Sequence, residues 1–177
     1  DYASREGLRC VVLYTLLVYP AWEINGVMVC KSPMEKRIDW LRTEIDVDVY
    51  PSSIREKYEI PSKFVGLWGG FSGIKYLKEW SEIGKTVLQK EKEIGLKICR
   101  NEEWNLFFIY FNILDIIQHR LWRFFDENDP IYKRNHLSST ILEYYKLFDE
   151  IVKEFIELYP NNPLIVLSDH GHRSRPY

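Results

Sequence analysis

Apolar residues in this chain fall either in short continuous runs or in stripes at helical spacing. Leu8–Val18 is a continuous, β-branched run without alternation, the pattern of a strand buried on both faces of a parallel sheet. Tyr19-Pro20 closes it, because proline cannot join a ladder and restricts the residue before it. Asn25-Gly26 marks a turn before the short run Val27–Val29. From Pro33 to Ser72 the chain holds Pro51, Pro61, Gly66, Gly69 and Gly70, and residues 33–72 read as loops with short helices, a loop-rich insertion or cap.

Ser72–Arg100 is predicted to be helical, with Ile74, Leu77, Trp80, Ile83, Val87, Leu88 and Ile94 near helical spacing. Gly84 and Gly95 argue against one unbroken helix. Leu106–Phe111 reads as a buried strand and Ile116–Phe125 as a helix, with a loop at Asp126–Pro130. Ser138 or Ser139 caps a further helix, whose face carries Ile141, Tyr144, Tyr145, Phe148, Val152, Phe155 and Leu158. Asn161-Asn-Pro163 stops it, and Leu164–Leu167 reads as a last buried strand. Strands alternating with helices predict an α/β sandwich with parallel strands, and right-handed crossovers put the helices on the sheet faces.

Composition narrows the function classes. The chain has 177 residues, 46% hydrophobic and 15% aromatic, enough for one domain with a real core. A formal net charge of -2 leaves no basic excess for a nucleic-acid backbone. No apolar run approaches a membrane span, and Val11–Val18 lacks signal-peptide flanks. Cys10, Cys30 and Cys99 are odd in number and far apart, which predicts buried thiols in a reduced, cytoplasmic chain. The chain starts at Asp1 and ends at Tyr177, six residues after Gly171. A catalytic loop that near a terminus is poorly held, so the expectation is a fragment of a longer protein. Nothing in the sequence fixes an oligomeric state.

Two segments carry candidate chemistry, Asp115-x-x-x-His119 and Asp169-His170-Gly171, each after an apolar run. Ligands of open α/β sheets bind beyond the carboxyl ends of the strands, so both pairs are expected at one edge. A spacing of four puts Asp115 and His119 on one helical face. Alone, this pair reads first as a capping Asp with a surface His, and only second as a metal pair. Asp169 alone reads equally as the cap of a following helix, and Gly171 permits the turn that lets Asp169 and His170 converge. Together the pairs offer oxygen and nitrogen donors to two divalent cations, which can clamp a phosphoryl group. Two donors per cation are too few for zinc, so more must come from elsewhere. His172 is a candidate for substrate contact or for support behind the ligands, and His136 reads as structural.

At these residues the chain resembles the alkaline phosphatase superfamily, and within it the type I phosphodiesterase/nucleotide pyrophosphatase family. The carrying segments are Asp115-Ile-Ile-Gln-His119-Arg-Leu-Trp122, Leu167-Ser-Asp-His-Gly171 and Tyr19-Pro20…Asn25-Gly26-Val-Met-Val29. The resemblance implies a three-layer sandwich with a mostly parallel central sheet, residues 1–177 forming part of one catalytic domain. It implies two divalent metals, commonly zinc with manganese as the alternative, one held by Asp115 and His119 and the other by Asp169 and His170. It further implies in-line attack by a Thr or Ser on a small phosphorylated substrate, a phosphodiester or nucleotide pyrophosphate, through a covalent phospho-enzyme. Gln118 and Trp122 fit the pattern in supporting roles.

The family's nucleophile and an aspartate ligand precede the matched segments, and its last histidine ligand lies well beyond Asp169-His170-Gly171. Thr15 sits inside a strand pattern and His172 is too near His170, so neither takes those roles. The chain itself is expected to be inactive. Sulfatase- or phosphomutase-type chemistry on the same scaffold stays open. So does a non-catalytic binding module that retains the fold. A helical interaction domain built on Ser72–Arg100 and Ser138–Tyr159 is a third reading, and it predicts that the four Asp and His residues lie far apart.

Overall fold

The computed structural model describes residues 2–15, 17–39, 42–67 and 74–173. The chain splits into two compact units, Asp1–Gly73 with Thr86–Phe111, and Ile74–Lys85 with Asn112–Tyr177. Gly69, Gly70 and the expected helix start at Ser72 lie outside the described residues.

The first unit is built on a five-stranded sheet in the order β4-β3-β2-β1-β5. Its strands are β1 (Cys10–Thr15), β2 (Gly26–Arg37), β3 (Thr43–Tyr50), β4 (Lys63–Gly66) and β5 (Leu106–Ile109). β1 pairs in parallel with β2 and β5, whereas β2 with β3 and β3 with β4 are antiparallel. The α/β class stands, but the sheet is mixed, not mostly parallel. The cause lies in residues 33–72, expected as loops, which instead supply the end of β2, all of β3 and β4, and the short helix α2 (Ile54–Lys57). In β3 the residues Thr43, Ile45, Val47 and Val49 are buried, while Glu44, Asp46, Asp48 and Tyr50 between them are not. This is the period-2 pattern of an antiparallel strand with one buried face. The connection between β2 and β3, residues 38–42, is too short for a parallel crossover.

β1 shows how one strand feeds two cores. Val11 and Leu13 pack with Val27, Val29, Val47, Val49, Phe64, Ile94 and Ile98 on one face, and Cys10 packs with Ile24, Met28 and Cys30 on the other. A register shift between Leu13 and Thr15, with Tyr14 at φ 63°, brings Tyr14 to the Leu13 side. Gly26 opens β2 at φ 139°, and a Cβ there would lie 2.0 Å from the Cys10 carbonyl oxygen, so the close pairing of Cys10 with Gly26 needs glycine. The helix α1 (Tyr2–Arg5) begins the chain, and Ala3 packs against the Cys10 cluster.

The long helix α3 (Ile74–Asn101) is continuous through Gly84 and Gly95. Each glycine costs about 1 kcal/mol against alanine in a helix. Both are buried, so packing on that face offsets the loss. In the first unit Glu91 of α3 meets Lys31 of β2 at 2.8 Å, with both side chains almost wholly buried. Tyr14 stands beside them, its hydroxyl donating to the Glu91 carbonyl oxygen at 3.3 Å. Cys10, Cys30 and Cys99 are buried free thiols, and burial pushes Cys30 and Cys99 up to about 11.

The second unit contains α4 (Ile113–Phe125), α5 (Thr140–Leu158) and the first part of α3. α4 and α5 pack against each other, and Ile113, Ile117, Leu121, Ile141 and Tyr144 of these helices are buried. The Tyr144 hydroxyl donates to the Ser81 carbonyl oxygen at 2.6 Å, and Lys85 bridges Glu82 and Glu143 at 3.0 and 2.8 Å.

The expected last strand is a correction. Leu164, Ile165, Val166 and Leu167 pair with none of the described strands and are exposed, Leu167 by 81%. An apolar run becomes a strand only where a neighbour takes its backbone hydrogen bonds, and among the described residues none does. No helix among the described residues is long and apolar enough to cross a membrane.

Candidate metal centre

The site is built on the first two turns of α4, three residues beyond the end of β5. Asn112 is the N-cap, so Asp115 is not the capping residue but lies inside the first turn. One turn later His119 Nε2 stands 3.3 Å from Asp115 Oδ1, with the two side chains 31% and 30% exposed. Asp115 Oδ1 is itself buried and has no hydrogen-bond partner among the described residues. A buried carboxylate oxygen left this way is costly unless a cation takes its lone pairs.

The chain after α5 returns to this face. His172 packs edge-on against His119, ring centroids 4.9 Å apart and planes at 86°. It also leans on Trp122, centroid separation 4.7 Å. Asp115, His119 and His172 each turn one donor atom into a common space, all within 4.8 Å of one another. The donor set fits a divalent cation. Tetrahedral zinc with donors about 2.0–2.1 Å away spaces neighbouring donors about 3.3 Å apart, which is the Asp115–His119 separation.

Asp169 and His170 sit in the same returning segment. Their side chains are 73% and 56% exposed, and Asp169 Oδ2 lies 3.5 Å from His170 Nε2. His170 Nδ1 faces the Gly171 carbonyl oxygen at 2.9 Å, so Nδ1–H donates, and Nε2 is the nitrogen turned to Asp169. The Gly171 carbonyl, the Asp169 charge and, last, the Asp115 charge hold the His170 imidazole above its ordinary pKa. Ser168 Oγ donates to the His170 carbonyl at 2.6 Å and the His170 amide donates to Asp169 Oδ1 at 3.1 Å, which ties the loop to itself.

The second segment thus reaches α4 through His172, while Asp169 and His170 lie outside the cluster of three donors, and it does not come off a strand end. Gln118 points elsewhere: it is buried and donates to the Tyr145 hydroxyl at 2.8 Å, a contact between α4 and α5. His136 is exposed. Trp122 was given only a supporting part by the sequence, yet it lies on the Asp115–His119 face and touches His172. Its spacing of three from His119 was the available signal.

A family model for type I phosphodiesterase / nucleotide pyrophosphatase matches residues 1–176. No curated protein and no solved structure matches the chain. With the match spanning nearly every residue and both Asp-His motifs inside it, the chain belongs to the type I phosphodiesterase/nucleotide pyrophosphatase family, a family of hydrolases.

Proposed function

We propose that this chain carries the metal-binding part of a phosphoester hydrolase acting on phosphodiester or nucleotide pyrophosphate bonds of a small phosphorylated substrate. The observation that carries the reading is the buried Asp115 Oδ1, without a hydrogen-bond partner among the described residues, beside His119 Nε2. On this reading Asp115 and His119 hold one divalent cation, and Asp169 and His170 hold a second. Zinc suits the mixed oxygen and nitrogen donors, with manganese as the alternative. The three-layer arrangement of the complete domain belongs to the same proposal.

Bound there, such a cation pair supplies positive charge to the phosphoryl oxygens and activates an attacking oxygen. The protein's own residues do the rest. The two carboxylates offset part of the cationic charge, and the imidazoles give neutral nitrogen donors. The Gly171 carbonyl fixes the His170 tautomer, so that Nε2 is the donor. No residue of this chain is assigned as the nucleophile.

The test is made in a full-length protein that supplies the nucleophile: hydrolysis of bis-p-nitrophenyl phosphate against p-nitrophenyl phosphate, with metal content measured in parallel. Asp115→Asn and His119→Ala are expected to lower metal content and diester turnover together, by roughly 100-fold or more. Wild-type turnover in either variant contradicts the assignment. Bound metal with no turnover of either ester favours the non-catalytic binding module.

A further inference from the structure

α4 carries Asp115 and His119 at a spacing of four and packs against α5. Its buried residues are Ile113, Ile116, Ile117, Gln118, Leu121 and Phe124, all apolar but Gln118. That one buried amide donates from Nε2 to the Tyr145 hydroxyl of α5 at 2.8 Å. We infer that Gln118 and Tyr145 are the positioning pair of the cation site: their hydrogen bond fixes the rotation and register of α4 on α5, and so the direction in which Asp115 and His119 face. The inference rests on the metal reading above and adds two positioning residues to it. Neither touches the cation.

Rotation matters because Asp115 and His119 supply two donors, whereas a zinc site takes three or four protein ligands. The remaining ligands belong to other segments. Turning α4 leaves the spacing within its own pair intact but aims the pair away from those ligands. A donor atom about 6 Å from the helix axis moves about 2 Å in a turn of about 20°, as far as a whole metal–ligand bond. Apolar contacts are non-directional and tolerate such a turn. A single buried polar contact does not, and it fixes helix register for little net stability.

α5 is itself a fixed reference within this unit. The Tyr144 hydroxyl is bonded to the Ser81 carbonyl oxygen of α3 at 2.6 Å, and Lys85 of α3 pairs with Glu143 at 2.8 Å. Tyr144 and Tyr145 are neighbours, so their side chains leave α5 about 100° apart, one bonded to α3 and the other to α4. Tyr145 is 46% exposed. Once its hydroxyl is removed, water reaches the Gln118 donor, and the loss of stability is small. Cation affinity and stability therefore separate.

The test titrates the metal-free full-length protein with Co²⁺ alone, reading affinity and the visible band, with urea unfolding alongside. Tyr145→Phe and Gln118→Leu are each expected to weaken Co²⁺ binding about 10-fold with the band kept, since no donor is lost. The double variant is expected to lose no more than the stronger single, because the two residues act as one unit. Ile141→Val trims a wholly buried side chain of α5. It is expected to lower the urea midpoint at least as much as Tyr145→Phe while leaving Co²⁺ affinity within about twofold. Circular dichroism checks that each variant keeps its helices. Wild-type affinity in either single variant, a changed band, additive losses in the double variant, or an equal loss of affinity in Ile141→Val overturns the inference while the metal reading stands. If the wild type binds no Co²⁺, or Asp115→Asn binds it equally well, the inference and the metal reading both fall.

Discussion

His170 shows how a loop too short to be a regular element still fixes a proton. The Gly171 carbonyl and then the Asp169 carboxylate stabilise its charged form, so the pKa stands above the ordinary value of 6.5. For a raised histidine, this stabilisation is complete below the ordinary value and is lost as pH rises through the folded one. The expected result is an NMR titration midpoint for His170 above 6.5 in the metal-free chain. Asp169→Asn lowers the midpoint but leaves part of the shift, because the Gly171 carbonyl remains. A midpoint at or below 6.5 contradicts the loop geometry. Cation binding at Nε2 requires loss of that proton, so it strengthens as pH rises through the same value. At this scale Asp115 and His119 were legible in the sequence, because helical spacing alone places them on one face. His172 was not, since a residue in an irregular segment follows no period, and its contact with Trp122 crosses 50 positions of chain.

Among the elements, the most exacting contact joins α3 to β2 through Lys31 and Glu91, 3% and 1% exposed. Glu91→Ala takes the carboxylate from a buried ammonium, and a loss of about 3–5 kcal/mol is expected in urea unfolding. Replacing both residues with well-packed apolar ones is expected to be neutral or stabilising. A loss below about 1 kcal/mol for Glu91→Ala contradicts the buried geometry. The run Leu164–Leu167 gives the opposite expectation. It is exposed and β-prone, so Leu167→Lys should change stability by no more than about 0.5 kcal/mol while lowering self-association in light scattering. A large loss of stability means that the run is buried. The helices were readable because long stripes leave little choice of period. β3 was missed although Thr43, Ile45, Val47 and Val49 alternate with polar residues, since the neighbouring prolines and glycines drew the reading toward loops. Leu164–Leu167 failed for the converse reason: a short apolar run reports β propensity but not the partner that makes a strand.

For the whole molecule, family and class were legible from three short segments, and the family model extends over residues 1–176. The mixed sheet was not, because strand direction depends on connections through residues 33–72 that carry no strong local signal. The segment after α5 reaches α4 through His172 and not from a strand end at a sheet edge. Everything functional in this account depends on a cation at that helix. The most direct measurement is anomalous diffraction at the zinc absorption edge from crystals grown with zinc. The account predicts a peak bonded to Asp115 Oδ1 and His119 Nε2 at about 2.0–2.2 Å. Density showing Asp115 Oδ1 bonded to a protein donor, with no anomalous peak on this face of α4, would contradict it.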